Sequence, residues 1–261
     1  MSSKYTSLNK NGLQDIQDII AYKGKIVTAE DIFESLKKRY TKNTLKKKIF
    51  ELKEKGWLVP LKKGTYFISD IVSHGFVDIN PVVIAKALNN DSYISLESAF
   101  SHYNFFEQML KTTTSITITK TKKFNFQDNI FLFLKIKKDL FFGFKTILVD
   151  GYPANIADLE KVILDYLYFK SDTYSIDLLI EKMESIRDSI DLKKIVNYAK
   201  IYPAAVKRKL GFILDLFGLD TTDLYKLAAK TGYSKLTVKS NIFNAKWRIY
   251  SENRFNKQGK A

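Results

Sequence analysis

The chain has no cysteine, and only two histidines, His74 and His102, among its 261 residues. Disulfides and thiolate metal sites are thereby excluded, a histidine-based centre has almost no ligands to draw on, and no cofactor is expected. No run approaches the roughly twenty apolar residues that a membrane span requires. The segment Met1 to Lys10 is polar and lacks the apolar stretch of an export signal, so the chain is expected in the cytoplasm with no membrane role. No glycine-rich phosphate loop is present, which argues against a nucleotide-using enzyme. There is also no internal repeat, low-complexity linker or heptad pattern, and so no marked dimer interface.

What the sequence has is positive charge. The net charge is +15, with 45% hydrophobic and 14% aromatic residues, ample for packed cores in two domains and suggestive of a polyanionic partner. Fifteen of the 43 Lys and Arg but only eight of the 28 Asp and Glu lie in residues 1–75, leaving a net +7 there and +8 over the rest. Per residue, the N-terminal part is more than twice as basic.

That part has a specific layout. Leu13, Ile16 and Ile20 supply a first helix. From Thr28, placed as an N-cap with Glu30 and Asp31 in the first turn, Ile32, Phe33, Leu36 and Tyr40 recur at helical spacing. A second helix starts at Thr41 with Leu45, Ile49 and Leu52 facing the core. Asn43, Thr44, Lys46 and Lys47 project toward the opposite side and the N-terminal end, where they can meet phosphates and base edges. Gly56 closes the helix. Trp57 to Pro60 alternates like a strand, Lys62 and Lys63 form a tip, and Thr65 to Ile68 returns. Lysines at Lys42, Lys46, Lys47, Lys48, Lys53 and Lys55 alone would more often mean a solvated face. Helix, helix, glycine and basic hairpin in this order predict a winged helix-turn-helix. The expected DNA-binding residues are Thr41, Lys42, Asn43, Thr44, Lys46, Lys47, Lys62, Lys63 and Thr65.

The second domain is expected over 76–261, opening on Asn80-Pro81, a cap followed by proline at the first helical position. Helices are predicted to about Leu88, over Ser95 to Tyr103, and from Asn155 as cap to Phe169, the last buried in the core. Ser115 to Lys120, Ile130 to Ile136 and Lys145 to Val149 alternate and predict an antiparallel meander. Further helices are read at Ser175 to Arg187, Asp191 to Ala199, Pro203 to Phe217 and Thr222 to Thr231, with a terminal strand or hairpin over Lys235 to Tyr250. The expected fold is α+β: an N-terminal winged helix-turn-helix over 1–75, then a larger mixed αβ domain with a meander and a helical C-terminal half.

No catalytic constellation stands out, and no enzymatic role is expected. Glu160 and Asp165 are about 140° apart around a helix, too far to share a ligand readily, so a buried ion pair or a cap contact to a neighbouring helix is the better reading. His102 lacks a nucleophile beside it and reads as structural. Lys207, Arg208 and Lys209 span about 200° of helix, so at least one flanks the apolar stripe. They form a candidate partner patch, with a solvated face as the default.

Four stretches carry a family resemblance. Gly56-Trp57-Leu58 through Lys63-Gly64-Thr65-Tyr66 is similar to the hairpin of the AbiEi family, in which a glycine precedes a hydrophobic residue and an aromatic. Tyr93 to Tyr103 resembles its "YISLESALSHYG" segment, Ala157 to Tyr168 its "ATPEKALLDLLY" helix, and Val206 to Leu214 its "V-x-R-R-L-G-F-L-L" helix. Two departures are Asp158-Leu159 for threonine-proline, and Asn104 for the glycine after Tyr103. AbiEi proteins are the antitoxins and transcriptional regulators of abortive-infection type IV toxin–antitoxin systems. The resemblance implies a repressor that binds inverted repeats in its own operon, monomeric in solution or dimeric on double-stranded DNA. It also implies a C-terminal domain that opposes a nucleotidyltransferase-like toxin without a stable complex. A stand-alone regulator and a toxin-binding module with no DNA role are the alternatives.

Overall fold

The computed structural model describes residues 8–69, 79–106, 109–228 and 230–257. His74 and the expected boundary at 75–76 lie outside them. The chain divides into two compact units, Met1–Asn90 with Val149–Tyr152, and Asp91–Leu148 with Pro153–Ala261.

In the first unit α1 (Lys10–Lys23) is capped by Asn9, whose side chain accepts from Gly12 N at 2.9 Å. The strand β1 (Ile26–Thr28) runs into α2 (Ala29–Leu36), where Thr28 and Asp31 form a reciprocal capping box. Helix α3 (Lys42–Glu54) follows, capped by Thr41, and then the hairpin β2 (Leu58–Lys62) and β3 (Thr65–Ile68). The sheet order is β1-β3-β2, antiparallel throughout, with a bulge between Pro60 and Lys62. The turn at Gly64 takes φ +76°, a conformation that glycine adopts without penalty. Ile16 and Ile19 of α1, Ile32 and Leu36 of α2, and Leu45, Ile49 and Leu52 of α3 share one core with Trp57, Leu58 and Ile68. Each such buried aliphatic contributes on the order of 2 kcal/mol. Leu13, expected to face the core, is exposed, and Ile19 fills that role. A fourth helix, α4 (Pro81–Leu88), starts as expected with Asn80 accepting from Val82 N and proline at its first turn.

The second unit holds β4 (Ser92–Ile94), α5 (Leu96–His102), β5 (Thr112–Thr117), β6 (Lys122–Phe126), β7 (Asn129–Lys135), and β8 (Phe144–Val149) and β9 (Tyr152–Ala157) apart from Val149 and Tyr152, which count with the first. These strands make one six-stranded sheet of order β6-β7-β5-β4-β9-β8. The predicted strands are present, but they are not an antiparallel meander. β5 pairs parallel with β7 and antiparallel with β4, β4 pairs parallel with β9, and β8 stands at the far edge. Alternation sets which face a side chain takes and says nothing about the neighbour strand. The nearly continuous burial of β5 fits its central position in the sheet.

Helices follow: α6 (Leu159–Phe169), α7 (Thr173–Ile186), α8 (Leu192–Ala199), α9 (Ala204–Leu216) and α10 (Thr222–Leu227). α6 packs against α5, α7, α8 and α9 and is buried over most of its surface, as expected. Its start is later than predicted. Asn155 lies in β9, where its Nδ2 donates to Ser92 O and its Oδ1 accepts from Thr146, so it ties strands together while Asp158 takes the cap position. The chain closes with β10 (Ser234–Lys235), β11 (Ile242–Asn244) and β12 (Ile249–Ser251), in the order β10-β12-β11, with the β11–β12 pair antiparallel. Gly211 of α9 lies against Trp247: a Cβ there would stand 2.3 Å from the indole ring. The indole Nε1 donates to Asp215 at 2.6 Å. Among the described residues no helix is long and apolar enough to cross a membrane.

Candidate nucleic-acid interface

The turn into α3 is fixed from below by a buried carboxylate. Asp15 of α1, 1% exposed, accepts from Tyr40 OH at 3.1 Å and Lys48 Nζ at 2.6 Å, and Arg39 Nη1 lies 3.2 Å from its other oxygen. Arg39 also pairs with Asp18. Partial burial works against the Lys48 charge, but the bonds to Asp15 and Tyr40 outweigh it and raise its pKa. These contacts join α1, the α2–α3 turn and α3, and they hold the helix by its inner side.

The outer side of α3 is left to solvent. Lys42, Asn43, Thr44, Lys46 and Lys47 are exposed, with Leu45, Ile49 and Leu52 buried behind them. Thr41 is exposed but engaged as the cap, its hydroxyl accepting from Thr44 N and lying 3.0 Å from the Thr44 hydroxyl. Ion pairing sorts the lysines further. Lys48 is paired with Asp15 and Lys55 with Glu51, whereas Lys42, Lys46 and Lys47 form no ion pair among the described residues. No acidic residue occupies the first turn of α3, so the positive end of the helix dipole adds to these three charges.

The hairpin residues divide differently from the expectation. Lys63 is exposed in the turn. The ammonium of Lys62 donates to Leu88 O at 3.0 Å, and partial burial lowers its pKa. Thr65 is 7% exposed and sits in β3 in register with Thr28 and Lys62, so it presents no side chain to a partner. The sequence reading missed Phe50, 63% exposed on α3. Its spacing from Leu45, Ile49 and Leu52 was the available signal, since it places Phe50 away from the core.

The expected patch at 207–209 is not assembled on the surface. Arg208 and Lys209 are 4% and 7% exposed. Arg208 donates to Ser234 Oγ and Thr231 O, and Lys209 Nζ to Lys170 O at 3.1 Å. Burial lowers the pKa of both. Both side chains close backbone carbonyls or hydroxyls inside the second unit, and Lys207 alone is partly exposed.

The carboxylates of α6 also have internal partners. Glu160 accepts from Asp191 N at 3.0 Å, at the start of α8, and pairs with Lys194. Asp165 pairs with Lys161 and accepts from Tyr202 OH at 2.8 Å and from Tyr93 OH and Ser95 Oγ at 3.0 Å each. Lys161 lies 5.2 to 5.3 Å from the ring centres of Tyr93, Phe142 and Tyr202. Burial depresses its pKa against the pull of Asp165. Both partners are 0% exposed, so the pair lies inside the second unit. His102 is exposed, its ring edge-on to Tyr103, and burial of part of the ring with the charge of Lys145 lowers its pKa.

No family model matches the chain, and no curated protein matches it. Among solved structures it is similar to the crystal structure of RV2827C protein from Mycobacterium tuberculosis, with a TM-score of 0.64 over 94% of this chain and 92% of that one. The two are 12% identical, so the likeness shows a shared mixed α and β fold across nearly the whole length.

Proposed function

We propose that the chain is a DNA-binding transcriptional repressor that autoregulates a toxin–antitoxin operon and, through its second unit, counteracts a nucleotidyltransferase-like toxin. The observation that carries the DNA reading is the outer face of α3, where Asn43 lies with three lysines that form no ion pair among the described residues, toward the positive end of the helix. The element order α1-β1-α2-α3-β2-β3, with the sheet order β1-β3-β2, supports a winged helix-turn-helix. In that frame the exposed face of α3, from Lys42 to Phe50, enters the major groove. Asn43 has the donor and acceptor pair that suits adenine, Lys46 and Lys47 suit guanine or phosphate, and Lys63 in the hairpin turn holds flanking phosphate.

The antitoxin role rests on the AbiEi resemblance of the segments that form β4 to α5, α6 and α9. A dimer on inverted repeats follows from the same resemblance.

The test is a titration of the purified chain against DNA from immediately upstream of its own gene, beside a scrambled duplex, across a salt series. Tighter binding to the upstream duplex by roughly a thousandfold supports the reading. Equal, steeply salt-dependent binding to both would mean that the +15 charge alone explains the affinity and would overturn it.

A further inference from the structure

We propose that Phe50 reads the methyl group of a thymine in the major groove, a specificity-determining contact that rests on the DNA-binding reading above. Around the axis of α3, Phe50 lies about 20° from Asn43, about 40° from Lys46 and about 60° from Lys47. It is the one large apolar side chain on this face among the described residues, and at 63% exposure it leaves most of its ring in water. The neighbouring charges identify what covers it. Lys42, Lys46 and Lys47 form no ion pair among the described residues, so the face attracts a polyanion before it attracts an apolar protein surface. Inside the major groove the thymine C5 methyl is the apolar group that the bases present, beside hydrogen-bond donors and acceptors that a phenyl ring cannot satisfy. A ring lined up with Asn43 and Lys47 therefore has one matched target there.

Replacing thymine by deoxyuridine removes that methyl and nothing else. The full chain and Phe50→Ala are titrated against the upstream duplex, the scrambled duplex, and upstream duplexes with each thymine in turn replaced by deoxyuridine. For the unaltered chain, one such replacement per bound copy weakens binding about fourfold, the equivalent of the ~0.8 kcal/mol of one buried methyl group. Phe50→Ala weakens upstream binding by at least as much, leaves scrambled-duplex binding unchanged, and no longer responds to that deoxyuridine.

A chain that prefers the upstream duplex yet ignores every deoxyuridine overturns this inference and leaves the repressor reading standing. So does a Phe50→Ala variant that still senses the replacement. Equal loss on both duplexes, or an altered oligomeric state of Phe50→Ala by light scattering, also overturns it, because the ring would then serve the fold or a contact between copies. If the unaltered chain does not distinguish upstream from scrambled DNA, the repressor reading fails and this inference fails with it.

Discussion

Lys62 and Lys63 are adjacent in sequence, and the difference between them is a hydrogen bond: the Lys62 ammonium is held by Leu88 O, while Lys63 stands in the open turn. Lys63→Ala is therefore expected to weaken upstream and scrambled duplexes alike and to flatten the salt dependence by about one counterion. Lys62→Ala should leave that slope unchanged. By contrast, Asn43→Ala should lower binding to the upstream duplex by about 1 to 3 kcal/mol with little effect on scrambled DNA, and Lys47→Ala should lower upstream binding by clearly more than it lowers scrambled binding. Anisotropy titrations of the four variants separate these roles, and equal losses on both duplexes for all of them would refute the assignment. Asn104 follows Tyr103 with φ +62°, in the left-handed region that asparagine tolerates better than other side chains. Its N–H donates to Ser101 O and that of Phe105 to Phe100 O, which closes the end of α5.

Among the elements, α9 makes the sharpest demand on one position. Gly211→Ala places a methyl group where the Trp247 ring already is, and the indole cannot retreat without giving up its bond to Asp215. The expected cost is about 1 to 3 kcal/mol or more, read as a lowered thermal midpoint, with any binding to the upstream duplex at low temperature unchanged. An unchanged midpoint would show that the ring moves freely. The helices were largely legible in the sequence, whereas the strands β1, β4, β6 and β9 were not among those expected. Capping residues Thr28, Thr41 and Asn80 and the Leu45, Ile49, Leu52 stripe are local signals, and they mark α2, α3 and α4. Pairing partners were not legible, because the strand that lies beside β5 is chosen by contacts distant in sequence. Nor were the inward turns of Arg208 and Lys209, whose partners Ser234, Thr231 and Lys170 come from elsewhere in the chain. Segments distant in sequence also meet in packing: Tyr93 and Ser95 come from one, Lys161 and Asp165 from another, and all four converge on a closed cluster. The candidate interface was legible in α3 and only partly so in the hairpin.

For the molecule as a whole, the buried phenols predict its response to alkali. Burial raises the pKa of Tyr93, Tyr166 and Tyr202 above the ordinary value of 10.0, with Asp165 reinforcing the shift at Tyr93 and Tyr202 and Glu97 at Tyr166. The unfolded chain releases these protons near that value while the folded chain keeps them. Their stabilising contribution is therefore complete below pH 10 and falls as the pH rises beyond it. Lys161, depressed by burial, acts in the opposite sense but is one group against three. Tyrosinate absorbance of the buried set should consequently appear together with loss of circular dichroism. Ionisation of all fifteen tyrosines ahead of unfolding would contradict this. The first unit also includes Val149–Tyr152, and the hydroxyl of Tyr152 accepts from Lys25 N at 2.8 Å, just before β1. A contiguous fragment ending at Asn90 thus omits part of the unit it is meant to isolate, and the gene design that retains it joins Asn90 to Val149 and ends at Tyr152.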